Sequence, residues 1–207
     1  VMHVLLINGS PHEKGCTYTA LSLVAGELNA AGITTEILNV GTKPVGGCIG
    51  CGGCAKGNGC VFGGVVNEAI EKAKTADAFV FGTPVHYASA SGNMTSFLDR
   101  LAYAGGKYLA YKPAAICASA RRAGTTSALD QLVKYPEFFH MPLVSGSYWP
   151  MVHGSNPEQV LQDEEGCAVM KELGRNMAWL LQCIEAGKAA GISHPENPRR
   201  PMTNFIR

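Results

Sequence analysis

The segment LLINGSPHEKGCT, residues 5–17, decides the fold because an apolar run leads through a glycine-framed turn into a helical pattern. Residues 4–8 read as a buried strand, and residues 17–31 carry apolar side chains at helical spacing. The turn lacks the glycine spacing of a dinucleotide fingerprint and the Gly-Lys-Ser/Thr ending of a nucleoside-triphosphate loop. The turn nevertheless has the groups that can bind a monophosphate. These are its glycines, the hydroxyls of Ser10 and Thr17, and the backbone amides of a helix start near Cys16. An ordinary strand–helix turn is the alternative interpretation.

The same strand–turn–helix pattern recurs along all 207 residues. Further strands are predicted at residues 34–38, 78–81, 114–118 and 143–144, and further helices at 65–76, 94–103, 124–134 and 164–189. This alternation predicts an α/β fold: a flavodoxin-like, doubly wound, five-stranded parallel sheet with helices on both faces. We expect one domain over residues 1–207, with a cysteine-rich loop at 43–64 and a helix with an irregular tail at 164–207.

The distribution of charged and apolar residues argues against nucleic acids and membranes as partners. The net charge is +1 and the lysines and arginines are scattered, which is not the basic footprint of a nucleic-acid-binding protein. No apolar run has the length of a membrane-spanning helix, and the first residues lack the basic region of a signal peptide. We therefore expect a cytoplasmic protein that binds neither nucleic acid nor a membrane.

A second loop, GTPVHYASASGNM at residues 82–94, follows the third strand and also opens a helix. His86 and Tyr87 can flank the face of a ring, and the backbone amides near Gly92 can bond its polar edge. A solvated loop with a core tyrosine is the alternative. Parallel strands end at one edge of a sheet, so one loop can hold a phosphate while the other holds a flat ring, as flavin mononucleotide (FMN) requires.

A third loop, CASARRAGTT at residues 117–126, follows the fourth strand. Arg121 or Arg122 can balance the negative charge at N1 of a reduced flavin or grip a phosphate of a nicotinamide nucleotide. A solvated arginine pair at a helix start is the alternative.

These three loops, together with TSFLDR at residues 95–100, resemble the NADPH-dependent FMN reductase family. The resemblance implies FMN at the sheet edge, reduction by NADH or NADPH, and a homodimer or homotetramer. The resemblance assigns phosphate binding to Ser10, His12, Cys16 and Thr17. Gly15 joins this predicted site because of its place in the turn. The ring-binding positions would be Pro84, Val85, His86, Tyr87, Ser89, Gly92, Asn93 and Met94. The third loop adds Ser119, Arg121 and Gly124 to the predicted cofactor site.

Four of the eight cysteines lie in the segment CIGCGGCAKGNGC, as Cys48, Cys51, Cys54 and Cys60. This run resembles the iron–sulfur flavoprotein branch of the same family. Four thiolates in one glycine-rich loop can wrap a [4Fe–4S] cluster. Zinc also accepts four thiolates, although structural zinc usually uses two separated pairs, and a third alternative is that the cysteines pack as small hydrophobes without metal. Cys117, Cys167 and Cys183 are predicted to be buried core residues.

We therefore predict an FMN-dependent NAD(P)H oxidoreductase. A reduced nicotinamide would pass hydride to flavin N5, a step that needs no protein acid or base, so no catalytic side chain is predicted. The acceptor would be a quinone, a nitro or azo compound, free flavin or an iron–sulfur centre.

Two other classes stay open. One is an iron–sulfur electron-transfer protein with a ferredoxin-like partner, and the other is a non-redox binding module. The last helix is predicted to contribute to a homodimer through a stripe of Met170, Leu173, Met177, Leu180, Leu181 and Ile184. That this stripe merely closes the sheet is the alternative.

Overall fold

Five parallel strands form the centre of the computed structural model, which describes residues 1–198 and 200–204. They are β1 (His3–Asn8), β2 (Thr34–Asn39), β3 (Ala78–His86), β5 (Ala114–Ala120) and β6 (Met151–His153), and a two-residue strand, β4 (Ser89–Ala90), pairs antiparallel with β3. The sheet order is β2-β1-β3-β5-β6, which is the flavodoxin-like order of the five parallel strands. The predicted doubly wound fold is confirmed, with one short antiparallel strand added.

The helices are α1 (Cys16–Ala30), α2 (Val65–Thr75), α3 (Gly92–Gly105), α4 (Thr125–Phe138), α5 (Pro157–Val160) and α6 (Glu164–Ala189). Two short 3-10 turns lie at Gly53–Lys56 and Gly106–Tyr108. The predicted irregular tail follows α6 in the described residues up to 204. Residues 199 and 205–207, which the prediction also included, lie outside the described residues.

The sheet separates two hydrophobic cores, and alternate residues of β1 supply both. Leu5 and Ile7 pack with α2, α3 and α4 on one face, whereas Val4 and Leu6 pack with α1 and α6 on the other. Successive strand side chains point to opposite faces, so a strand covered by helices on both sides needs a continuous apolar run. The run that opens the chain is buried for this reason.

The predicted fifth strand at residues 143–144 is wrong. Leu143 forms only an isolated bridge to Ala114, and the fifth strand lies later, where Met151–His153 pairs with residues 118–120 of β5. The Val144 amide bonds to the Ala114 carbonyl at 2.8 Å, and the chain returns to the sheet where the Pro150 carbonyl accepts the Ala118 amide at 3.0 Å. The chain therefore bonds to β5 at two separate points, and only the second of them begins a strand.

Four of the six residues in the apolar stripe of α6 close the chain's own core. Met170, Leu173, Met177 and Leu181 are buried against the sheet and α1. The stripe therefore gives no support to the predicted homodimer, which stays a prediction. None of the helices in the described residues has the length and apolar character needed to span a bilayer.

The three cysteines that were predicted to be core residues differ in their surroundings. Cys117 is buried, which raises the pKa of its thiol to about 12. Cys167 is half-buried and donates to the Val160 carbonyl at 3.2 Å. Cys183 is exposed because it lies on the solvent face of α6, so the prediction that it is buried is wrong.

Candidate functional site

Loops from the carboxyl ends of the parallel strands meet at one edge of the sheet. The Gly9 amide donates to the Gly82 carbonyl at 2.9 Å, and the Ser91 hydroxyl donates to the Gly9 carbonyl at 2.9 Å. These two bonds join the loop after β1 to β3 and to the start of α3. The first and second predicted loops are therefore neighbours.

The start of α1, which follows the first loop, also contacts β5 and the loop after β6. The hydroxyls of Thr17 and Ser119 lie 2.8 Å apart, and both residues are buried. The Cys16 thiol donates to the Gly154 carbonyl at 3.5 Å. Thr17 and Ser119 are thus bonded to each other across the site, and Cys16 is bonded to the loop after β6.

Ser10 shapes the turn that follows β1. Its hydroxyl accepts the His12 amide at 3.1 Å, and its own amide donates to the Asn8 side-chain oxygen at 3.1 Å. Asn8 in turn donates to Asn39 at 2.8 Å, which fixes this turn to the end of β2. Ser10 is only 3% exposed, whereas His12 lies on the surface. The sequence prediction missed Asn8, although an asparagine at the end of an apolar strand pattern is itself a signal of a hydrogen-bonded turn.

The start of α1 is open to an anion. Gly15 is its N-cap residue, no side chain caps it, and its first turn holds no acidic residue. A Cβ on Gly15 would lie 2.9 Å from the His12 Cβ, so the tight turn requires glycine. Burial raises the pKa of the Cys16 thiol, so this side chain is a neutral donor rather than a competing anion. Unpaired amides and the helix dipole at such a start favour a phosphate.

The second loop is a hairpin with a strained tip. Tyr87 and Ala88 connect β3 to β4 and have φ values of 50° and 58°. A two-residue turn with positive φ at both positions normally uses asparagine or glycine, so two residues with side chains there store strain. Tyr87 is fully exposed, His86 is exposed, and Pro84 and Val85 are half-buried. The alternative of a core tyrosine is therefore wrong.

Three side chains assigned to the ring contact the hairpin and its surroundings. The Ser89 hydroxyl bonds to the Gln131 side chain of α4, which also accepts the Ala90 amide at 2.7 Å. Asn93 bonds to the Gly41 carbonyl at 3.0 Å, the Lys43 carbonyl at 3.2 Å and the Val45 amide at 3.1 Å. Met94 is buried, and a Cβ on Gly9 would lie 2.8 Å from the Met94 Cβ.

The backbone near the exposed Gly92 is the part of this segment that faces solvent. Ser91 and Gln131 were missed. Ser91 caps α3 by accepting the Met94 amide, a role that its place before a helix start signals, whereas nothing in the sequence around Gln131 indicates its contact.

The third loop packs directly on the hairpin tip. Gly124 has a φ of 96°, and a Cβ there would lie 2.6 Å from the Ala88 Cα. Arg121 and Arg122 are exposed, and neither forms an ion pair with a described residue. The start of α4 beside them has no capping side chain and no acidic residue in its first turn. This side of the site is therefore positive and open.

The four clustered cysteines line one pocket of about 230 Å³, together with Phe62 and Arg100. All four are free, and Gly50, Gly52, Gly57 and Gly59 between them have positive φ. Within the described residues no group of three or more cysteine, histidine or acidic side chains is arranged to hold a metal ion. Number and donor type fit a thiolate-bound cluster, but the loop must tighten to bring the sulfurs together. The bonds from Asn93 to residues 41–45 place this loop beside the ring segment.

Comparison with known proteins agrees with this geometry. Residues 2–156 match the NADPH-dependent FMN reductase family. The chain is 26% identical over 192 residues to an iron–sulfur flavoprotein of Methanocaldococcus jannaschii, covering 89% of this chain and 100% of that protein. It is 30% identical over 175 residues to an iron–sulfur flavoprotein of Archaeoglobus fulgidus, covering 83% of this chain and 86% of that protein.

Solved structures show the same fold at low sequence identity. An NADH:FMN oxidoreductase in its apo form superposes with a TM-score of 0.62 at 20% identity, covering 88% of this chain and 90% of that one. A flavodoxin from the domain Archaea superposes with a TM-score of 0.59 at 13% identity, covering 87% and 99% of the two chains.

Proposed function

The chain belongs to the NADPH-dependent FMN reductase family, and we propose that it is an FMN-dependent oxidoreductase that is reduced by NADH or NADPH. The observation that carries the proposal is the meeting, at one sheet edge, of an uncapped helix start and a strained, exposed hairpin. When bound, FMN supplies the redox chemistry, because its ring accepts a hydride and passes electrons onward. No protein acid or base is required for that exchange.

The residues of the site have separate tasks in this proposal. The amides at the start of α1, together with Ser10 and the neutral Cys16 thiol, bind the phosphate. The hairpin tip at Tyr87 and the backbone near Gly92 orient the ring. Arg121 or Arg122 supplies positive charge toward the reduced ring or toward a nicotinamide nucleotide. We propose a small-molecule acceptor of the quinone, nitro, azo or free-flavin type, or a redox protein.

The phosphate assignment is tested by Cys16→Asp. A carboxylate in the first turn suits the helix dipole, so α1 should still form, but it sets like charge against the phosphate. We expect the purified variant to lose most of its flavin absorbance per chain. Cys183→Asp is the matched control, because the same change falls on an exposed position of α6 and should leave the flavin content unaltered. Full flavin content in Cys16→Asp would contradict the assignment.

The nicotinamide assignment is tested by anaerobic mixing. The flavin absorbance of the holoprotein should bleach on addition of NADH or NADPH in the absence of an acceptor. A spectrum unchanged by both would reject reduction by a nicotinamide while leaving the FMN site intact.

A second candidate function is electron transfer by an iron–sulfur flavoprotein with a ferredoxin-like partner. The observation favouring it is that four free cysteines line one pocket in a chain whose relatives are named iron–sulfur flavoproteins. Such a centre would supply one-electron transfer. Protein purified anaerobically should then contain about four irons per chain. Protein that binds no iron even after reconstitution with iron and sulfide would reject this candidate.

A further inference from the structure

Arg100 on α3 is a buried cation that points into the cysteine loop. The residue is 6% exposed. Its Nε donates to the Cys60 sulfur at 3.2 Å, and its terminal nitrogens donate to the Gly46 carbonyl at 3.3 Å and the Gly63 carbonyl at 3.1 Å. The Phe62 ring lies 5.4 Å from its Cζ. The guanidinium thus contacts both ends of the cysteine loop and one of its four sulfurs.

No carboxylate of the described residues neutralises this charge through an ion pair. The adjacent Asp99 accepts the Tyr135 hydroxyl at 2.6 Å instead. Glu68 lines a pocket that Arg100 also lines, but its carboxylate pairs with Lys72 at 3.7 Å. A buried charge is costly unless it is paired, and two neutral carbonyls compensate only part of that cost. The pocket therefore carries a positive charge without its counterion.

We propose that Arg100 is a positioning residue that stabilises the negative charge of a cluster bound by Cys48, Cys51, Cys54 and Cys60 and so raises its reduction potential. The inference rests on the second candidate function above. A cluster held by four thiolates is anionic, and gaining one electron makes it more negative by one charge. A nearby cation and a hydrogen bond to a ligand sulfur both favour the reduced state, since net charge and such hydrogen bonds set the potential. In a loop without a cluster and with neutral thiols, the Arg100 guanidinium would have no anionic group to stabilise.

The test compares three variants of the anaerobically purified holoprotein by iron content and by the midpoint potential of the cluster in an EPR-monitored titration. Arg100→Met keeps an apolar stem and removes the charge. It should retain iron and FMN while its equilibrium for one-electron reduction shifts at least tenfold toward the oxidised form, about 59 mV for a one-electron couple. Arg100→Lys keeps the charge, so its midpoint potential should stay closer to that of the parent protein.

Lys56→Met is the matched control, since it removes an exposed positive charge from the same loop. Solvent screens that charge, so its shift should be clearly smaller than that of Arg100→Met. Iron lost from Arg100→Met but kept with a near-parental potential in Arg100→Lys would also support a charge requirement.

Two outcomes would overturn the inference about Arg100 without rejecting the cluster proposal. One is iron in the parent protein with an unchanged potential in Arg100→Met. The other is iron lost from both Arg100 variants while FMN is retained, which would make the residue a clamp on the loop carbonyls. A parent protein that binds no iron would instead reject the cluster proposal, and this inference with it.

Discussion

At the residue scale, Gly124 is the point at which the third loop touches the hairpin. Its φ of 96° lies in the left-handed region, and a Cβ there would stand 2.6 Å from the backbone of Ala88. Only glycine meets both conditions without displacing the hairpin tip. The turn that carries Tyr87 is therefore placed by a residue without a side chain.

Gly124→Ala should consequently lower the thermal midpoint of unfolding and weaken FMN binding, since the hairpin must move away. Gly26→Ala is the control, because Gly26 is exposed in α1 and a Cβ there would meet no atom within 4 Å. Alanine at that helical site should stabilise the protein by about 0.5–1 kcal/mol. Thermal unfolding and a flavin titration measure both effects. An unaltered affinity in Gly124→Ala would show that the hairpin tip does not contribute to the site.

Thr17 and Ser119 illustrate what residue type alone leaves open. Thr17 was assigned to the cofactor because its hydroxyl can bind a phosphate, and Ser119 was assigned to it as part of the third loop. In the folded chain their hydroxyls are 2.8 Å apart and join α1 to β5, across 102 positions in the sequence. The donor type was predictable, whereas the partner depends on how α1 packs against the sheet.

At the element scale, the β3–β4 hairpin depends on α4. The Gln131 side chain accepts the Ala90 amide at 2.7 Å and bonds to the Ser89 hydroxyl. A two-stranded hairpin is marginal by itself, so this side chain acts as the anchor that fixes it to the body of the protein. The start of α3 is attached through Ser91 in the same way.

Gln131→Ala should leave the buried Ala90 amide without its acceptor, which costs about 1–3 kcal/mol. We expect faster hydrogen exchange at Ala90 and weaker FMN binding, with little change in the sheet. Gln182→Ala on the exposed face of α6 is the matched control and should alter neither quantity. Unchanged protection of the Ala90 amide in Gln131→Ala would mean that the hairpin is held by other contacts.

At the scale of the whole molecule, the sheet carries two cores, and α6 closes one of them. Leu173 is fully buried between α6 and the sheet, whereas Trp179 on the same helix is 67% exposed. The apolar stripe and the large exposed ring thus face in different directions. Stability depends on the apolar stripe, because its burial against the sheet removes apolar area from water.

Leu173→Ala should therefore lower the free energy of unfolding by about 2–5 kcal/mol, as for other buried leucines. Trp179→Ala should change it by no more than about 0.5 kcal/mol, because an exposed side chain makes few contacts. Equilibrium denaturant unfolding of the two variants gives the comparison. A large loss of stability in Trp179→Ala would reveal that its face is covered in solution, which light scattering would then register as an oligomer.

The sequence by itself determined the alternation of strands and helices, the flavodoxin-like class, and the three loops at which a cofactor would bind. These follow from the spacing of apolar residues and from turn chemistry, which are local properties of the chain. The clustered cysteines were equally visible, since they lie within thirteen consecutive positions of the printed sequence.

Tertiary structure alone decided which residues are partners. The edge strand lies at Met151–His153 rather than at residues 143–144, Asn93 holds residues 41–45, and the Arg100 guanidinium reaches the Cys60 sulfur. Each of these depends on contacts between residues far apart in the chain. Local periodicity cannot specify such contacts, because the register of an edge strand and the partner of a polar side chain are set by packing of the whole sheet and its helices.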